Sequence, residues 1–163
     1  MSSRLLLLLM LAVLAGCASS PGPLPESWPQ AGETLIPDEN RAGTAERLWQ
    51  VFERYEGAPY RYGGTGAGGF DCSGFIMTAY REALGKRLPR TTDALLASGT
   101  EIHRQAVRPG DLVFFHIGGK DGHAGIYMGG HQFIHSASST GVTLSSLRND
   151  YWRERYSRAR RFD

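Results

Sequence analysis

The sequence predicts an α+β domain in which N-terminal helices pack on a central antiparallel β-sheet. Two observations carry that expectation. Between residues 44 and 99 the apolar residues recur at intervals of three and four, the helical period. Beyond residue 110 they come instead in short strand-length runs separated by glycine-rich stretches: Gly118-Gly119-Lys120-Asp121-Gly122, Gly129-Gly130 and Ser138-Ser139-Thr140-Gly141. Helices first and hairpin-linked strands afterwards is the order of an α+β fold rather than of alternating βαβ units.

Each element follows from a local pattern. A first helix is expected from an N-cap at Thr44 through Leu48, Val51, Phe52 and Tyr55, closing at Gly57. A second opens on Cys72, after the loop Gly63-Gly64-Thr65-Gly66-Ala67-Gly68-Gly69. Its apolar residues Phe75, Ile76, Ala79, Tyr80, Ala83 and Leu84 share one face, and Gly85 suits a left-handed C′ position. A short third helix should follow Thr91 or Thr92 and stop at Gly99. Strands are then expected at residues 111–116, 123–128, 132–137 and 142–145, followed by a helical piece over 146–156 and a last strand at 158–162.

Upstream of this domain the chain carries export signals. Arg4 precedes an apolar run from Leu5 to Leu14, too short to span a bilayer permanently, so residues 1–16 read as a signal peptide. The run ends in Leu14-Ala15-Gly16-Cys17, which resembles the lipobox of bacterial lipoproteins. By that resemblance Cys17 becomes the acylated first residue of the mature chain, a membrane anchor to which each buried methylene adds about 0.8 kcal/mol. Ala18 follows where inner-membrane retention is associated with aspartate. In a two-membrane bacterium this implies an outer-membrane lipoprotein facing the periplasm. Residues 17–43 hold five of the eight prolines and no sustained apolar period, and read as a tether. Fully extended, residues 18–43 would reach roughly 80 Å at about 3.1 Å each, although Trp28, Leu35 and Ile36 could dock on the domain. Residues 44–163 then form one domain of ordinary size. Removing residues 1–16 takes away Arg4 alone, leaving 17 basic against 16 acidic residues. A chain so close to neutral argues against nucleic-acid binding, and the terminal cluster of Arg153, Arg155, Arg158, Arg160 and Arg161 reads as a solvated face.

The chain has two cysteines. If lipidation consumes Cys17, Cys72 is a lone thiol in an oxidising compartment and a candidate nucleophile rather than a staple. It stands in the first turn of a helix, where unpaired N–H groups and the positive end of the macrodipole favour the thiolate. The competing reading of Cys72 is a small buried hydrophobe. A thiol nucleophile needs a base and an orienter for that base. Of the five histidines, His103 in a polar stretch and His131 at a hairpin tip are expected to be exposed, and His116 ends a strand. His123 begins an apolar strand and His135 lies inside another, so each buried ring needs a partner. With a plain two-residue Gly129-Gly130 turn, facing residue numbers would sum to 259 and the two histidines would lie on opposite faces. A shared role therefore requires an odd-length turn or a bulged hairpin, with Gly130 available for the left-handed position. His123 would then turn one ring nitrogen to Cys72 and the other to His135.

Five blocks carry a family resemblance: Tyr60-Arg61-Tyr62-Gly63-Gly64, Phe70-Asp71-Cys72-Ser73-Gly74-Phe75, Pro109-Gly110-Asp111-Leu112-Val113-Phe114-Phe115, His123-Ala124-Gly125-Ile126-Tyr127 and Phe133-Ile134-His135-Ser136. In order and without large insertions, they resemble the signature of the NlpC-type cell-wall cysteine peptidases, and most closely its small lipoprotein branch of the NlpC and Spr type. The resemblance implies a papain-like domain with Cys72 as nucleophile, His123 as general base and then acid, and His135 as orienting third member. It places the Tyr60 hydroxyl beside the oxyanion with the Cys72 backbone N–H, and gives Ser73 a part in shaping substrate subsites. Because a neutral histidine orienter lacks a carboxylate's charge, thiolate stabilisation is expected from charged His123 and the helix. The implied substrate is the peptidoglycan stem peptide. The bond is either the D-alanyl–diaminopimelate crosslink, favoured by the spacings, or the γ-D-glutamyl–diaminopimelate link. No cofactor and no metal are implied, and a monomer is expected. Three rival readings exist. A non-catalytic peptidoglycan-binding lipoprotein would be signalled by loss of Cys72 or His123, and both are present. A zinc site from Cys72, His123 and His135 lacks any close Cys/His pair. An amidase or acyltransferase acting on another bond shares the same chemistry.

Overall fold

The computed structural model describes residues 39–163, with the side chains of 39–42, 120 and 121 left out. The signal peptide, Cys17, most of the tether and its docking residues Trp28, Leu35 and Ile36 lie outside that range. Helix α1 spans Glu39–Tyr55, five residues further upstream than the Thr44 cap anticipated. Apolar period marks where a helix packs rather than where it starts, so Glu39, Asn40, Arg41 and Ala42 could extend it without an apolar face. Strands β1 (Thr65–Gly66) and β2 (Gly69–Phe70) make a small hairpin inside the glycine-rich loop. Helix α2 runs Cys72–Leu84 and ends on Gly85 in the left-handed conformation (φ 67°). Helix α3 spans Thr92–Ala97, capped by the Thr91 hydroxyl accepting from Ala94 N–H at 3.2 Å.

The sheet then follows: β3 (Thr100–Ile102), β4 (Leu112–Ile117), β5 (Lys120–Gly129), β6 (Gln132–Ala137), β7 (Gly141–Ser146) and β8 (Tyr156–Arg161), with α4 (Asp150–Arg155) before the last strand. The six strands are antiparallel in the order β3-β8-β4-β5-β6-β7. Strand β3 was not anticipated: at three residues it is too short to show a period, and it exists by pairing with the far end of the chain. The final helix is shorter than expected, because Ser146 stays in β7 and Asn149 supplies the cap, its side chain accepting from Tyr151 N–H at 2.9 Å. Strand β8 accordingly begins at Tyr156.

Alternation along the strands divides the core in two. Leu112, Phe114, Ala124, Ile126 and Ile134 meet Leu48, Val51 and Phe52 of α1 and Phe75, Ile76 and Ala79 of α2. Val113, Phe115, Tyr127, Phe133, Leu147 and Ala159 form a second cluster, covered in part by Trp152 and Tyr156. Each fully buried Phe or Leu in these clusters contributes roughly 1.5–3 kcal/mol.

The hairpin between β5 and β6 sets the register on which the histidines depend. Ile126 faces Ile134 and Tyr127 faces Phe133, numbers that sum to an even value, and a bulge between Tyr127 and Gly129 supplies the shift. The bulged hairpin required by a shared role is therefore present. The glycine in the bulge is Gly129 (φ 90°) rather than Gly130, while Gly130 (φ 57°) and His131 (φ 68°) make the turn itself. His131 is buried, 4 % exposed, and not the solvated tip residue expected from its position. Its carbonyl accepts from Leu147 N–H at 2.7 Å and its N–H donates to the Tyr127 hydroxyl, so chain after β7 folds back over the turn.

Candidate active site

The first turn of α2 is built by Asp71. As N-cap its carboxylate accepts from Gly74 N–H at 2.7 Å and from Gly63 N–H at 2.9 Å, tying the glycine-rich loop to the helix start. Arg90 grips the same carboxylate with both guanidinium nitrogens, at 3.0 and 2.8 Å. Burial pushes the Asp71 carboxyl up, but the Arg90 fork and the two N–H donors outweigh it and hold the group below the usual range. Gly74 is demanded by contact: a Cβ there would lie 2.0 Å from the Gly64 carbonyl oxygen. Ser73 is drawn into this network, to Asp71 at 3.3 Å and Arg90 at 3.0 Å, and is not among the residues lining the cleft described next.

Cys72, at the head of α2, lines a cleft of about 490 Å³ with Tyr60, His123, His135, Ser145 and Trp152. It is a free thiol, 7 % exposed. The hydrogen bond its sulfur makes goes to Thr92 Oγ1 at 3.4 Å, and none joins it to either imidazole. His123 Nε2 and His135 Nδ1 are 2.8 Å apart, and His135 Nε2 is 2.9 Å from Ser145 Oγ. The structure thus brings Cys72, His123, His135 and Tyr60 to one cleft and joins the two histidines by a ring nitrogen each, as the register requires. Nδ1 is the ring nitrogen of His123 that remains for a thiol.

Trp152 fixes this pair from the side, stacking on His123 (centroids 5.4 Å apart, planes at 28°) and meeting His135 edge-on at 4.9 Å. Gly125 permits the approach from below: a Cβ there would lie 2.6 Å from Phe133 Cδ2 and 3.2 Å from His135 Cβ. Burial pushes His123 down to about 4, and burial followed by the neighbouring His123 pushes His135 down to about 3. Both shifts run toward the neutral ring, since burial disfavours the charged form of each imidazole. Burial, then the Cys72 and Asp71 charges, raise the Tyr60 hydroxyl, so it stays protonated and able to donate. Among the described residues no three metal-ligating side chains are grouped closely enough to hold an ion.

Sequence reading did not single out Arg90, Thr92, Ser145 or Trp152 for the site. Parity could have found Ser145, which lies two residues beyond Thr143, the partner of His135 in β7. Nothing local marks Arg90 or Thr92, which reach the Cys72 turn from about twenty residues downstream.

A thiol at a helix head beside a hydrogen-bonded histidine pair, in an antiparallel α+β frame, is the arrangement of a cysteine-dependent hydrolase. The NlpC/P60 family model matches residues 57–161, and the chain belongs to that family. It is 40 % identical over 158 residues to a probable endopeptidase NlpC of Escherichia coli (strain K12), covering 96 % of this chain and 97 % of that one. It is 42 % identical over 115 residues to a murein DD-endopeptidase MepS/murein LD-carboxypeptidase of the same strain, covering 71 % of this chain and 61 % of that relative. Against a γ-DL-glutamyl hydrolase of Bacillus subtilis (strain 168) it is 44 % identical over 117 residues, 70 % of this chain and 28 % of the relative. Among solved structures, an NlpC/P60 family protein from Bacillus cereus superposes with a TM-score of 0.66 at 32 % identity, covering 72 % of this chain and 40 % of that one.

Proposed function

We propose that this chain is a peptidoglycan endopeptidase, a cysteine hydrolase of stem-peptide amide bonds, held at the outer membrane by a lipid on Cys17. The 2.8 Å bond between His123 and His135, in one cleft with the free thiol of Cys72, carries the reading. A relative matched over nearly its whole length and named an endopeptidase supports it. The sequence Leu14-Ala15-Gly16-Cys17 supports the anchor.

The proton arrangement follows from the geometry. For His123 Nδ1 to accept a proton its Nε2 must carry one, which donates to His135 Nδ1. His135 then carries its own proton on Nε2 and donates to Ser145 Oγ. His123 Nδ1 takes the Cys72 proton, and the thiolate so formed bonds the amide carbon through Sγ. The carbonyl oxygen gains the negative charge, facing the Cys72 N–H, which has no intrahelical acceptor at this position, and the Tyr60 hydroxyl. The C–N bond breaks as His123 returns its proton to the leaving amine. Water, deprotonated by the same nitrogen, hydrolyses the thioester and restores the thiol.

Within this activity the bond assigned is the D-alanyl–diaminopimelate crosslink. A relative of 42 % identity named a DD-endopeptidase favours it, and the γ-DL-glutamyl hydrolase relative favours the γ-D-glutamyl–diaminopimelate bond as the second reading. Purified crosslinked and uncrosslinked muropeptides, digested and weighed by mass spectrometry, separate them. Crosslink cleavage turns dimers into monomers, whereas γ-D-glutamyl cleavage leaves a shortened dipeptide stem on the muramyl sugar. Absence of both products would remove the endopeptidase reading.

A further inference from the structure

We propose that Thr92 belongs to the reaction machinery: its hydroxyl donates to the Cys72 thiolate and raises the fraction of nucleophile present at neutral pH. The inference rests on the cysteine-peptidase reading and extends it to a residue that reading does not use.

Three observations converge on it. Thr92 Oγ1 is 3.4 Å from Cys72 Sγ, within reach of a sulfur hydrogen bond. A thiolate can only accept, so once the sulfur is ionised the hydroxyl must be the donor. Thr92 is also placed rather than loose. Two residues earlier Arg90 is clamped to Asp71 and Ser73, and the adjacent Thr91 hydroxyl is occupied in capping α3. The segment 90–92 thus holds residues 71, 72 and 73 through consecutive contacts, and a β-branched side chain there has little χ1 freedom to lose. Finally, the site is short of charge for a thiolate. Burial makes both imidazoles poor cations, and the third member is a neutral ring rather than a carboxylate. A donor preorganised at the sulfur supplies part of that deficit.

The magnitude decides whether such a donor helps. A hydrogen bond to the charged form lowers a pKa by about one unit. Below the thiol's midpoint this gives about tenfold more thiolate, while intrinsic nucleophilicity falls only about threefold for a Brønsted slope near 0.5. The net gain is about threefold. Above the midpoint the fraction saturates and the advantage disappears.

That crossing distinguishes thiolate stabilisation from a merely structural role. In the chain carrying Cys17→Ala, so that Cys72 is the sole thiol, iodoacetamide alkylation rates would be followed against pH for Thr92, Thr92→Val and Thr92→Ser. Circular dichroism and urea midpoints check the fold, and Thr92→Ala replaces Thr92→Val if the latter unfolds. We expect the alkylation midpoint to rise by about one unit in Thr92→Val and to stay near wild type in Thr92→Ser. Muropeptide kcat/KM should fall about threefold at neutral pH in Thr92→Val and recover at alkaline pH. An unchanged alkylation midpoint, or an activity loss equal at every pH, would overturn the proposal. Should the wild-type chain cleave no muropeptide, the endopeptidase reading fails alone, and the alkylation midpoints still decide whether Thr92 serves the sulfur.

Discussion

At the scale of single residues the site is governed by burial of imidazoles without a counter-charge. His123 sits near 4 and His135 near 3, both below the ordinary value of about 6.5. Between those values and 6.5 the unfolded chain binds protons that the folded chain refuses. Stability should therefore fall as pH drops through that window, and these two rings should contribute no slope above it. The loss from His123 alone is on the order of 3 kcal/mol. Urea midpoints measured from pH 7.5 to 4.5 should decline steeply for the wild type and less so for a His123→Asn, His135→Asn double variant. Equal slopes in the two proteins would mean the rings are not buried neutral. His131 remains in both chains and, also lowered by burial, adds a common slope that the comparison removes.

Among the elements, the β5–β6 hairpin bears most of the functional geometry, and Gly125 is its tightest point. Adding a methyl group there drives it into Phe133 and the backbone side of His135. Gly125→Ala should cost about 1–3 kcal/mol of stability as an overpacked site. Because His135 would shift against His123, kcat should drop tenfold or more, on the general sensitivity of positioned groups to misplacements near 1 Å, with KM changed little. A variant with normal kcat would show that the 2.8 Å ring contact is not needed. This hairpin was also the element where sequence reasoning reached furthest and then missed. Parity demanded an odd-length turn or a bulge, and a bulge exists, but its glycine is Gly129, and His131 itself takes a left-handed conformation that nothing local assigns to it. Helix α2 was legible in its start at Cys72, its apolar stripe and its glycine stop at Gly85, while the Asp71 cap emerged only in the structure. Strand β3 was invisible because its pairing lies with β8, near the chain's other end.

For the molecule as a whole, the lipid anchor proposed at Cys17 gives a separate expectation. Cys17→Ala should release the protein from membranes in soluble form with specific activity on soluble muropeptides unchanged within about twofold, since residues 18–43 could span tens of ångströms. Continued detergent-sensitive fractionation with the outer membrane would refute the lipid anchor. The main helices, the strands β4 to β8 and the candidates Cys72, His123 and His135 could be read from runs, spacings and the family resemblance. Arg90, Thr92, Ser145 and Trp152 could not, because each joins the site through contacts made only once the chain has folded. The proposed chemistry stands on one sulfur atom. Its most direct test is turnover of purified crosslinked muropeptide by Cys72→Ala, with urea midpoints confirming that the variant is folded: the predicted result is no product above the enzyme-free blank, and cleavage by the variant at a substantial fraction of the wild-type rate would contradict it.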